Sequence, residues 1–441
     1  MATETRLSGL DRDTVQTLSH AAGEPDWLRR RRLEAFELFE SLPMPSRTDE
    51  NWRRTDLRGL DLTGLHLPRG GGVAEAVSPM SLRSDGFGGE LVMSQDELVR
   101  ADLAMDLQEQ GVVFCSLVEA IRRVPEVVEP FLSNPAVEAE RGKFEALNAA
   151  FWGSGIFLYV PPETDVALPL RALVGLASVG SATFPRTLLV VGDGAKVVYG
   201  EEYASPPLQG QPTLSAGVVE VHVGERASLS MVTLQEFLGN VYDINTQQAL
   251  LARDSTLNWL VVGLGEGITK SNIDVAMQGP GASTQMHGIL WGYGHQHTDY
   301  HTLQDHQAPH CTSDLLYKGA LIDDAVSVFS GRIRVAKGAH RTDSYQANRT
   351  VILSDHAAAF PSPNLEIEAN DVRCTHGASV GRVDADQLFY LMSRGLSRDV
   401  ATKMIVEGFF EEVLQREPAE SVRDNLRDLI RRKMEEQTAR A

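Results

Sequence analysis

What most constrains this chain is a regular alternation of short apolar runs and turn residues, starting near residue 155 and lasting about two hundred residues. Ile156-Phe157-Leu158-Tyr159-Val160 opens the series and is closed by Pro161-Pro162, as a strand would be. Leu188–Val191, Val218–Val223, Leu229–Thr233, Thr256–Val262, Ile273–Met277 and His287–Trp291 continue it, and Val326–Phe329, Arg332–Val335 and Leu365–Glu368 extend it further. Turn residues at Gly224, Gly239-Asn240, Asp254, Gly265–Gly267, Gly279–Gly281 and Gly292–Gly294 recur roughly every 13–15 residues. Such a region can form a sandwich or barrel of antiparallel strands, or a β-helix whose rungs bury their faces only by stacking. Asn-Gly hairpin signals are absent and internal polar residues fall at similar phases of successive units, which favours the β-helix. The spacing alone leaves the sandwich open.

Helical patterns flank this region, giving three expected parts: a mostly helical 1–154, a strand-built core at 155–385, and a helical 386–441. Leu28, Leu33, Phe36, Phe39 and Leu42 form an apolar stripe that Pro43 and Pro45 stop. Ser94-Gln95-Asp96-Glu97 has the form of a helix capping box. A further helix is expected from near Asn134-Pro135, turning Phe144, Leu147 and Phe151 inward. At the other end Val400, Met404, Ile405, Phe409 and Val413 predict one apolar helical face, with Ser397 at its N-cap. Beyond Glu417-Pro418, Val422, Leu426, Leu429 and Ile430 predict a second. Either face could pack on the strands or dock a partner.

Composition excludes several classes. A formal charge of −19 over 441 residues offers no basic field for nucleic acid. No apolar run reaches the roughly 18 residues of a membrane span. Met1–Arg6 lacks the basic-then-apolar pattern of a secretory signal, and a cytoplasmic location is expected. Three distant cysteines, Cys115, Cys311 and Cys374, suit reduced thiols better than a disulfide framework. The glycines of Gly192-Asp193-Gly194 and Gly263–Gly267 open no helix, and no Gly-x-x-x-x-Gly-Lys-Ser/Thr or Gly-x-Ser-x-Gly element occurs. The chain is expected neither to hydrolyse ATP nor to act as a catalyst.

Two stretches carry chemistry. Cys374 and His376 stand two apart, so an extended segment projects them to one face. A thiolate beside an imidazole suits zinc, copper(I) or iron–sulfur chemistry, and the plain alternative is a buried cysteine beside a hydrogen-bonded surface histidine. The second stretch, His295-Gln296-His297-Thr298-Asp299-Tyr300-His301, resembles the His-x-His-x-Asp-His zinc loop of metallo-β-lactamase-like hydrolases, with Tyr300 as one residue too many. A zinc-dependent hydrolase built on His295, His297, Asp299 and His301 is therefore the alternative reading. Histidine rungs hydrogen-bonded to neighbouring rungs explain the same residues without a metal.

Several motifs together resemble the SufB/SufD family of iron–sulfur cluster assembly proteins, on its SufD side. They are Asp299-Tyr300-His301-Thr302 with His306, Pro309-His310-Cys311-Thr312-Ser313, Tyr317-Lys318-Gly319 and Phe329-Ser330-Gly331-Arg332-Ile333. Cys374-Thr375-His376-Gly377-Ala378, Asp386-Gln387-Leu388-Phe389-Tyr390 and the Trp-centred Asn51–Leu57 complete the set. The resemblance spans about residues 145 to 415. It implies a mainly β fold, a right-handed parallel β-helix core between N- and C-terminal helical domains. It also implies a scaffold subunit in a complex with a SufB-like scaffold and a SufC-like ATPase, the latter docked on the C-terminal helices through the Val400, Met404 and Phe409 face. In that complex ATP-driven dimerisation of SufC is implied to strain the scaffold pair and expose a site where a nascent iron–sulfur cluster, or its iron, is held between subunits. His376 is the implied ligand on this chain, with Cys374 beside it. The SufB partner is implied to bring the essential cysteine from a Ser-Gln-Cys-Asp-like segment. The matching stretch here, Tyr345-Gln346-Ala347-Asn348-Arg349-Thr350, has none, which disfavours a SufB-like role, including a homodimer with SufC. One His and one Cys are too few for a cluster that needs four ligands, so a partner must complete the shell. A homodimer of the isolated chain remains open.

Overall fold

The computed structural model describes residues 9–68, 86–417 and 419–438; Met1–Arg6 lies outside them. From Arg186 to Arg382 consecutive strands alternate between two sheets, and each pairs in parallel with the strand two places further on until the sheets end. The result is a parallel β-solenoid of about eight turns with helices at both ends. A full turn therefore consumes two of the strand units spaced in the sequence, one per sheet. Val326–Phe329 and Arg332–Val335 belong to a single strand, Val326–Val335, because no turn residue with a reversed backbone separates them.

Register is unbroken along most of the first sheet, so residues of equal phase stack into columns. One inward column runs Leu170, Tyr199, Met231, Trp259, Met286 and Leu315, all buried. Stacked apolar side chains of this kind, worth about 1.5–3 kcal/mol each on burial, are what a rung lacks in isolation. Gly288 sits where a Cβ would collide with the Tyr317 ring, so the close approach there requires glycine.

The flanking helices cover the outer faces. Asp26–Ser41 and Lys143–Phe151 pack with Leu214, Ala216, Tyr242 and Ile244 of the second sheet into one cluster. Phe144, Leu147 and Phe151 point inward as expected, but their helix starts at Lys143; Asn134 caps the preceding helix Pro125–Ser133. Ser94-Gln95-Asp96-Glu97 is no capping box. Gln95 and Asp96 take positive φ of 48° and 68° and form the two-residue turn of an antiparallel hairpin. The Asp96 carboxylate then accepts the Phe184 N–H at 3.3 Å instead of capping a helix.

At the C-terminal end, helices Arg398–Leu414 and Glu420–Thr438 lie on the outer face of the first sheet, against Leu260, Val262, Ile289, Trp291 and Leu316. The buried face of the first of these is Ala401, Val406, Phe410, Val413 and Leu414, rotated from the expected one. Ala401 is fully buried, and Val400 and Met404 stay exposed. Phe409 is half-buried against the solenoid, its ring under the Lys318 ammonium at 4.3 Å and its carbonyl accepting from Lys318 Nζ at 2.7 Å.

Candidate functional site

The last coil is built differently from those before it. Strands Ala358–Ile367 and Val372–Arg382 end the two sheets, so each has one hydrogen-bonded neighbour and one free edge. Nearly every residue of both is exposed or half-buried, whereas the strands beneath are mostly buried. Cys374 and His376 lie on Val372–Arg382, in register with Ser344 and Gln346, two inward residues of the strand below. The extended backbone thus puts thiol and imidazole side by side over the open end of the solenoid. Cys374 is half-buried against Ile333, Val335, Ala339 and Ala369, while His376 is exposed and Gly377 beside it faces open space. Burial, and next the Asp343 carboxylate, push the Cys374 thiol above its ordinary range. It is a neutral thiol at pH 7 until a metal displaces the proton.

A second exposed feature lies on the helices after this coil. Asp384 caps helix Ala385–Ser393, its Oδ1 accepting the Asp386 and Gln387 N–H groups at 2.9 Å. That turns Phe389, Tyr390 and Met392 outward, where Phe389 is 73% exposed. Val400 and Met404 of the next helix are exposed as well, at 46% and 48%. Five large apolar side chains on two consecutive helices exceed the scattered exposure of an ordinary surface. Phe389 and Tyr390 stand in the Asp-Gln-Leu-Phe-Tyr motif, so their type was visible in the sequence; their outward direction was not.

The histidine run does something else. His295 is exposed on a turn, its Nδ1 3.4 Å from Asp324. His297 Nε2 lies 3.0 Å from Thr55 Oγ1. Asp299 is buried and engaged by protein groups: Thr55 Oγ1 donates to its Oδ2 at 2.5 Å and Lys270 Nζ at 2.9 Å, and His301 Nε2 lies 3.0 Å from its Oδ1. Burial opposes ionisation of Asp299, but the His301 contact, Lys270 and Thr55 outweigh it and hold the carboxyl down to about 2. Among the described residues no three His, Cys, Asp or Glu side chains converge as a metal site. The zinc-hydrolase reading is therefore set aside, because zinc needs three or four ligands at one point and His295, His297, Asp299 and His301 do not converge on one. The run instead receives the N-terminal Trp-centred segment: Thr55 docks on Asp299, and the Lys270 ammonium lies 5.5 Å from the Trp52 ring. Sequence spacing carried no sign of this pairing.

Comparison with known proteins agrees with this architecture. Residues 174–409 match the family described as SUF system FeS cluster assembly, SufBD core domain, and residues 90–172 match the SufBD protein N-terminal region. The iron–sulfur cluster assembly protein SufD of Bacillus subtilis is 29% identical over 98% of this chain and 100% of its own length. An iron–sulfur cluster assembly SufBD family protein of Staphylococcus saprophyticus is 28% identical over 93% of this chain and 90% of its own. A SufBD family protein of Staphylococcus epidermidis has the same identity and coverage. No helix among the described residues is long and apolar enough to cross a membrane. The solenoid, its flanking helices and these matches together place the chain in the SufBD family of iron–sulfur cluster assembly proteins, as a SufD-like scaffold of the Suf system.

Proposed function

We propose that this scaffold contributes half of a cluster-building site, His376 with Cys374 on the open end of the solenoid, and that a SufB-like partner supplies the remaining thiolates. The observation that carries this reading is the last coil, with two free strand edges and a thiol–imidazole pair at an exposed rim. A free edge of ten or eleven residues is a ready template for strand pairing, and leaving it bare invites aggregation. A partner with a similar edge would cover it and bring its own ligands within reach of His376. The nascent cluster, or the iron that enters it, is then cargo held between subunits and not a resident cofactor of the isolated chain. Without that partner a second copy can pair on the same edge.

The exposed Phe389, Tyr390, Met392, Val400 and Met404 patch is the proposed dock for a SufC-like ATPase, with catalysis residing in that partner. Phe409, the third candidate of that face, is half-buried against the solenoid beside Lys318. The chain is expected to co-purify with the ATPase in stoichiometric amount, and a Val400→Asp, Met404→Asp double variant to lose it while keeping its own thermal midpoint. Undiminished co-purification of that variant would remove the docking assignment.

A further inference from the structure

The outer face of the second sheet carries a polar column, Thr246, Asn272, His301, Ser330 and Ser362, in unbroken register. At its upper end Thr246 Oγ1 donates to Glu145 at 2.5 Å, beneath the helix Lys143–Phe151. Past that helix the Trp-centred segment takes over. Trp52 packs on Phe144 with ring centroids 5.7 Å apart, and Thr55 is fastened to Asp299. Between this segment and the sheet lies a cleft of about 490 Å³. A second of about 210 Å³ shares Asn51, His301, Ser330 and Arg332 with it.

Three arginines, Arg53, Arg54 and Arg332, line the larger cleft against two exposed glutamates, Glu50 and Glu366. The remaining carboxylate, Asp299, is buried and engaged by Lys270 and His301. The lining thus has a positive excess in a chain whose formal charge is −19. Among the described residues the guanidinium groups of Arg53 and Arg54 have no carboxylate partner and no hydrogen-bond acceptor. Arg54 is held instead over the Phe360 ring, its guanidinium carbon 3.9 Å from the centroid. A guanidinium placed on a ring keeps its N–H fork open for bidentate contact with an oxyanion. Arg332 reaches Glu366 only at 4.0 Å, and an exposed pair at that distance restrains it weakly. The hydroxyls of Ser330 and Ser362 and the Asn51 amide add neutral donors.

We propose that this cleft binds a small organic polyanion, a phosphate ester or a polycarboxylate. One anionic group sits on Arg53 and Arg54, a second on Arg332, and the serine hydroxyls hold the body between them. The volume falls within the range of small-molecule sites. Neither His376 nor Cys374 lines the cleft, so the proposal is independent of the cluster reading.

The test is isothermal titration calorimetry of the full chain with pyrophosphate, citrate and sulfate. Pyrophosphate or citrate is expected to bind one to one, more tightly than sulfate, and to weaken as salt is added. The tighter of the two tells a phosphate ester from a polycarboxylate. Arg54→Ala and Arg332→Ala should each weaken binding about tenfold or more, as loss of a charge-assisted hydrogen bond does. Ser362→Asp sets a carboxylate on the exposed floor and should abolish binding, while Arg226→Ala, outside the cleft, should leave it unchanged. Circular dichroism melts check that each variant is folded. Absence of saturable binding by both probes overturns the proposal. So does binding no tighter than that of sulfate, or binding that Arg54→Ala and Arg332→Ala leave unchanged.

Discussion

Asp243 shows how strongly the lumen perturbs a single residue. It is buried in the solenoid interior, and burial raises its carboxyl to about 7 against opposing hydrogen bonds from Asn245 and Ser215. A carboxyl raised on folding contributes stability that is complete below pH 4 or so and is lost as pH rises toward 7. Asp243→Asn removes that titration. The variant should therefore gain on the wild type between about pH 4 and 8, by up to about 4 kcal/mol, as read from urea unfolding midpoints across that range. Asp299 has the opposite sign. Its carboxyl is depressed to about 2, so its contribution is present above about pH 4 and lost as pH falls toward 2. Lys270 is its buried cationic partner, and Lys270→Met strands the carboxylate. A loss of about 3–5 kcal/mol at pH 7 is expected by the same measurement. At this scale the sequence was legible in part. Cys374 and His376 are adjacent because strand geometry dictates it, and two residues in sequence suffice to see that. Thr55 and Asp299 are 244 positions apart, and no local pattern joins them.

At the level of elements, period and pairing are separate kinds of information. The strand–turn period could be counted because many strands end at turn residues that leave the ladder, such as Asp254 and Gly281 with positive φ. Which strand pairs with which is set by the alternation between sheets, and the same spacing would suit a sandwich. The ladders decide it, since Thr256–Gly263 pairs in parallel with Ser228–Glu236 on one side and Ser283–Gly292 on the other. Helix faces were harder to read. In Arg398–Leu414 both Val400 and Val406 are apolar, and only contact with Leu316 and Ala320 of the sheet tells which one packs. The hairpin at Gln95-Asp96 imitates a capping box because Ser94 and Glu97, the pair that closes it, stand at the spacing of a cap, and Asp tolerates left-handed backbone.

At the scale of the whole molecule, the two ends of the solenoid are built differently. Its first coils are covered by the N-terminal helices, and the antiparallel strands Glu97–Leu103 and Val113–Ser116 terminate its sheets. Its last coil is bare and carries the candidate ligands at the rim. On the proposed reading one His and one Cys are this chain's share of the site: the fold presents an edge to be completed, and cluster chemistry needs four ligands. The most direct measurement is anaerobic reconstitution with iron and sulfide, followed by absorption spectroscopy, on the isolated chain, on its complex with a SufB-like scaffold and SufC-like ATPase, and on that complex carrying His376→Ala. The account predicts no stoichiometric cluster on the isolated chain, a cluster on the complex, and a marked loss in the variant with all subunits still assembled. A stable stoichiometric cluster on the isolated chain, or wild-type yield from the His376→Ala complex, would contradict it.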